Sequence, residues 1–214
     1  MNYKSFKGYE EYYPERIDGT AEWFYSITPS WVDADEVDEY NGSFSGTRLL
    51  LFNINGTIIE PFTLTKNVYI ESPVYSGKRN SFGLLRYDFN IRIIQMYEYF
   101  IEDKKLELIT ELPFKEGGDF VNLRIEKEPF MLVKSDVHDN EVKFVYPVKK
   151  EFKLENNETL FCVDGDTFIT SKWIEDPDYR EEIITRKIFD GLIVQREKGY
   201  IVEMPNGYIW KMTE

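Results

Sequence analysis

In the last 25 residues of the chain a turn residue followed by glycine recurs every eight positions, each time leading into three apolar residues. The copies are Asp190-Gly191-Leu192-Ile193-Val194, Lys198-Gly199-Tyr200-Ile201-Val202 and Asn206-Gly207-Tyr208-Ile209-Trp210. Eight residues is the length of one short strand and one tight turn, so the pattern predicts an up-and-down antiparallel meander of four strands from about Glu182 to Met212. The third apolar residue of each copy breaks strict alternation, as strands buried on both faces or twisted at a sheet junction require.

Upstream, the same punctuation continues at wider spacing. Asn55-Gly56 separates Arg48–Asn53 from Thr57–Phe62, the strongest kind of short-range hairpin signal. Residues 92–100 and 106–112 flank Glu102-Asp103-Lys104-Lys105, residues 130–134 and 142–146 flank a polar turn with His138, and residues 160–163 and 167–170 flank Asp164-Gly165. An aromatic content of 16% supplies rings that pack well on pleated surfaces. The expectation is a mainly β chain of antiparallel hairpins with a C-terminal meander, in a propeller-like or other multi-sheet fold or a β-sandwich, with one or two short helices. One helix is expected after Ser30 as cap, ending at Asn41-Gly42; a helical turn is expected at Asp176–Glu182, followed by a strand.

At 214 residues the chain is read as a single domain: residues 1–45 as an irregular acidic, aromatic cap, 46–181 as a hairpin body, and 182–214 as the octad meander. Charge is concentrated in the cap, with ten acidic residues against three basic ones, in a chain of net charge −13. That balance repels nucleic acid and anionic membranes, whose binding depends on Lys and Arg, and favours a basic protein partner. No window is long and apolar enough to span a bilayer and the N-terminus has no apolar signal core, so a cytoplasmic location is expected.

Most catalytic chemistries lack their residues. The single His138 lies in a hairpin turn, and the single Cys162 lies in an apolar run with no basic neighbour to activate it. One Cys and one His rule out a structural zinc site, the acidic stretches do not fit a calcium-binding loop, and no glycine-rich phosphate loop is present. No catalytic residue, metal ligand or cofactor is assigned.

Two regions remain as binding candidates. In the N-terminal segment Tyr12, Tyr13 and Trp31 lie among Asp33, Asp35, Asp38 and Glu39. Aromatic anchors ringed by charge suit a protein interface, the rings supplying buried area and the acids steering a basic partner. Further on, Trp173, Glu175, Asp176, Asp178 and Tyr179 gather aromatic platforms and carboxylates on one connection, the equipment of a carbohydrate-binding or glycoside-cleaving site. A non-enzymatic protein-binding module is the leading expectation, a carbohydrate protein the alternative, and an assembly subunit using the meander edge the third.

Overall fold

The structure is a computed structural model that describes residues 4–117, 122–136, 140–204 and 206–214. His138 lies outside the described residues. The chain is mainly β, built from several antiparallel sheets in which strands follow one another almost in sequence order. It divides into two compact units, Met1–Val121 and Asn122–Glu214, so the boundary falls inside the stretch read as one hairpin body.

The first unit holds two sheets. In the first, β1 (Glu15–Arg16), β2 (Trp23–Thr28), β3 (Arg48–Asn53) and β4 (Ile58–Ile59) pair in that order. Residues 1–45 are therefore more than an irregular cap: β2 pairs along the whole of β3, from Trp23 opposite Asn53 to Thr28 opposite Arg48. The Asn55-Gly56 turn joins β3 to β4, with Gly56 at a φ of +100° that a side-chain-bearing residue avoids. The second sheet contains β5 (Val68–Ile70), β6 (Val74–Ser76), β7 (Ser81–Asp88), β8 (Ile93–Phe100) and β9 (Lys105–Pro113). A short α1 (Phe114–Gly117) follows.

β7 is buried at every position except Arg86, since β5 and β6 cover one edge and β8 the other. The two sheets share a core in which Ile17, Trp23, Leu49 and Leu51 meet Val68, Ile70, Phe82, Leu84 and Tyr99. Each fully buried aliphatic or aromatic side chain contributes about 1.5–3 kcal/mol, and the edge-on Trp23–Phe82 pair, with centroids 5.2 Å apart, adds a contact of the favoured geometry.

The second unit repeats the plan. β10 (Leu123–Lys127), β11 (Phe130–Asp136), β12 (Glu141–Tyr146) and β13 (Lys150–Lys153) form one sheet. β14 (Glu158–Asp164), β15 (Thr167–Ile174), β16 (Arg180–Lys187), β17 (Ile193–Glu203) and β18 (Ile209–Thr213) form the other. Met131, Val133, Val142 and Phe144 pack with Leu160, Val163, Phe168 and Ile188, and the Phe152 ring stacks on Phe168 at 5.5 Å.

Two elements of this unit differ from the sequence expectation. The meander has three strands, β16 to β18, because the Lys198-Gly199 pair makes no turn and lies within β17. There β17 changes partner: Lys198 is opposite Glu182 on β16, and Gly199 is opposite Thr213 on β18. A Cβ on Gly199 would lie 2.0 Å from the Met212 carbonyl oxygen, so glycine is required by close approach. The helical turn at Asp176–Glu182 does not form either. β15 and β16 pair out to Ile174 opposite Arg180, leaving only a five-residue bend between them.

Candidate functional site

After β2 the chain enters a 3₁₀ helix, Ala34–Tyr40. Its cap is Asp33, not Ser30: the Asp33 N–H donates to the Glu36 carboxylate at 3.1 Å, and the Glu36 N–H to the Asp33 carbonyl at 3.1 Å. The helix ends at Asn41, in the left-handed conformation with φ 49°, as Asn41-Gly42 implies.

Three residues per turn stack side chains at i and i+3. Ala34 and Val37 form the inward ridge and are buried, with Tyr40 continuing it and packing its ring on Phe44 at 5.4 Å. A second ridge, Asp33, Glu36 and Glu39, is exposed. Val32 is buried just before the helix and anchors it, which leaves its neighbour Trp31 outside at 72% exposure. The result is an open cleft of about 310 Å³ walled by Trp31, Tyr40, Glu36 and Glu39.

The seven candidates from this segment thus separate. Trp31 and Glu39 line the cleft. Asp33 caps the helix. Asp35 is exposed. Asp38 is engaged by the Arg92 guanidinium at 3.1 Å, which itself stacks over Phe114. Tyr12 is held by the fold, its hydroxyl accepting a 2.6 Å bond from Arg48, whose guanidinium also grips Glu60. Tyr13 is 83% exposed and does not line the cleft. Sequence reasoning missed Tyr40, and counted Glu36 only as one more acid; reading the segment at a period of three would have grouped Glu36 with Glu39.

Near this helix lies a second feature without a sequence signal. Glu71 follows β5 and is partly buried. Burial, and secondarily the Asp33 carboxylate, push its carboxyl up to about 7, against the opposing pull of the Ser72 backbone N–H. Glu71 in turn helps to raise the phenols of Tyr69 and Tyr87, for which burial is the main cause.

The second candidate group lies on the β15–β16 hairpin. Trp173 is part of β15, opposite Glu181, and is half-buried, while Glu175, Asp176, Asp178 and Tyr179 are exposed on the bend. Of these five only Tyr179 lines the open cleft of about 490 Å³ at this end, together with Arg180, Lys198, Tyr200, Met212 and Glu214. Carboxylates here are already engaged: Glu181 accepts from the Tyr179 hydroxyl at 2.8 Å, and Glu214 pairs with Lys198 at 3.5 Å. Beside it, β17 and β18 place Tyr200 opposite Met212 and Val202 opposite Trp210 on one exposed face, while Ile201 and Ile209 pack inward near Cys162, Ile169 and Ile183.

The Cys162 thiol is buried, and burial first, then the Glu126 carboxylate, pushes it up to about 12, far from a reactive thiolate at neutral pH. Among the described residues no group of three His, Cys, Asp or Glu side chains could hold a metal ion, and no helix is long and apolar enough to cross a membrane. The chain matches no protein-family model, and no curated protein is significantly similar to it.

Proposed function

We propose that the protein is a non-enzymatic binding module whose N-terminal acidic, aromatic surface docks a basic protein partner. The observation that carries this reading is Trp31, a large indole held outside the core by its buried neighbour Val32 and bordered by the carboxylates of Glu36 and Glu39. Exposed tryptophans are rare on surfaces that stay solvated and are typical anchors of interfaces, and surrounding charge of one sign accelerates encounter with the opposite sign. The net charge of −13 acts in the same direction over longer range.

Affinity capture from the host's lysate tests it, with a second bait carrying Asp35→Asn and Glu39→Gln. Asp33 and Asp38 are spared because one caps the helix and the other holds Arg92. A stoichiometric partner on the first bait, weakened severalfold on the second and by raised salt, is the expected result. Capture of no partner, or of one indifferent to both changes, overturns the reading. A second reading, a saccharide seat, draws on the exposed rings of Tyr179 and Tyr200 flanking one cleft. A glycan screen that leaves both ring signals unmoved removes it.

A further inference from the structure

We infer that the Trp31–Tyr40 cleft is a seat for one arginine side chain, presented on an exposed segment of the basic partner. The inference rests on the binding-module reading and names what that surface recognises. Three properties of the cleft select this ligand. Its volume, about 310 Å³, is at the low end of ligand sites and gives room for one long side chain. Two of its four walls are aromatic, an indole and a phenol, and a cation over such rings is attracted by their negative faces. The other two walls are carboxylates. That of Glu36 has one oxygen engaged by the Asp33 N–H, and that of Glu39 bonds no described side chain, so acceptors remain for a donor entering from solvent.

Arg92, which reaches this helix from the turn before β8, is already committed to Asp38 and to the face of Phe114, which leaves the Glu36–Glu39 ridge to an external charge. Between the two common cations, guanidinium fits better. It is planar and weakly hydrated, so it stacks on the rings while its edge N–H groups reach two carboxylates at once; an ammonium is a strongly hydrated point charge that does one or the other. The rigid placement of the ridge supports this, because the three-residue period and the buried Val32, Ala34 and Val37 fix the acids relative to the indole before any ligand arrives.

The test titrates the full chain with a short Gly/Ser peptide carrying two arginines, and with matched peptides carrying lysine or citrulline in their place. The readouts are the backbone amide shifts of Ala34–Tyr40, which every variant retains, and in the unchanged chain the indole N–H signal of Trp31, assigned by its loss in Trp31→Phe. Trp31→Ala and Glu36→Gln/Glu39→Gln are run alongside, with circular dichroism as the folding control. Expected are a shift of the Trp31 signal by the arginine peptide, at least fivefold weaker binding of the lysine peptide, no binding of the citrulline peptide, and roughly tenfold weakening by Trp31→Ala. Equal binding of arginine and lysine peptides that is indifferent to Trp31→Ala overturns the arginine seat and leaves diffuse acidic steering standing. No binding of either peptide at millimolar concentration also overturns the seat, and the capture experiment then decides the wider reading independently.

Discussion

Glu158 in the second unit and Glu98 in the first both sit in five-stranded sheets, and both side chains are closed off from water, at 0% and 2% exposure. Their partners differ. Glu158 takes the Arg186 guanidinium two-pronged at 2.8 Å and 2.8 Å, the Thr170 hydroxyl at 2.5 Å and the Glu155 N–H at 2.8 Å, and Arg186 is itself only 10% exposed. Glu98 takes the Ser81 hydroxyl at 2.6 Å and one Arg79 nitrogen at 2.7 Å, but Arg79 is 48% exposed and reaches in from solvent. A buried ion pair is costly to form and far costlier to halve, because the remaining charge has no water to turn to. The second unit therefore depends on its pair in a way the first does not.

The largest expected effect follows from that asymmetry. Arg186→Met leaves Glu158 buried and uncompensated and should cost about 3–5 kcal/mol of stability. Arg79→Met, where water can replace the lost guanidinium, should cost about 1–2 kcal/mol. Adding Glu158→Leu to Arg186→Met should recover most of the loss, since the Thr170 hydroxyl still has the Ile184 carbonyl at 3.2 Å. Urea unfolding midpoints measure all three; equal losses from the two arginine variants would break the comparison.

One carboxylate in each unit should also make stability depend on pH, with opposite sign. In the second, hydrogen bonds from Arg196 and then Lys172 hold the Glu155 carboxyl at about 2, below its ordinary 4.5, so its contribution is present above 4.5 and is lost as pH falls toward 2. In the first, Glu71 sits at about 7, so the folded chain keeps a proton that the unfolded chain releases above 4.5. Stability there should fall as pH climbs from 4.5 to 7 and level off above, by about 3 kcal/mol at most. Glu71→Gln should flatten that slope, raising the melting temperature at pH 8 while leaving it nearly unchanged at pH 5. An unaltered slope in the variant would show that Glu71 is not the group responsible.

How legible this was in the sequence depended on whether the cause was local. Asn55-Gly56 and Asp164-Gly165 were readable because a tight turn needs its own residues to take positive φ, and both hairpins form as expected. The acidic, aromatic character of the Trp31 segment was readable as well, but which acids face the indole was not, since that depends on a 3₁₀ period that caps alone do not reveal. Glu71, Glu98 and Glu158 carried no signal at all. Each looks like an ordinary strand-edge acid until a residue distant in sequence comes against it: Asp33 for Glu71, Ser81 for Glu98 and Arg186 for Glu158.

The most local of these effects falls at the end of the second unit, where two glycines equivalent in the eight-residue pattern do different work. Gly207 occupies a turn with φ +82°, and alanine there costs the ordinary left-handed penalty, about 1 kcal/mol. Gly199 is where β17 passes from β16 to β18, and a Cβ would strike the Met212 carbonyl oxygen at 2.0 Å and the backbone of Thr213 at 2.9 Å. Backbone cannot rotate aside as a side chain does, so Gly199→Ala should cost about 1–3 kcal/mol, by prying β18 from its partner. Because the outer face of this hairpin is exposed, the loss should stay local: amide exchange should quicken from Gly199 to Thr213 while β14 and β15, stabilised by the Glu158–Arg186 pair, keep their protection. Loss of protection across the whole five-stranded sheet would mean that the hairpin and the buried pair form one cooperative block, and that the second unit has no weaker end to yield first.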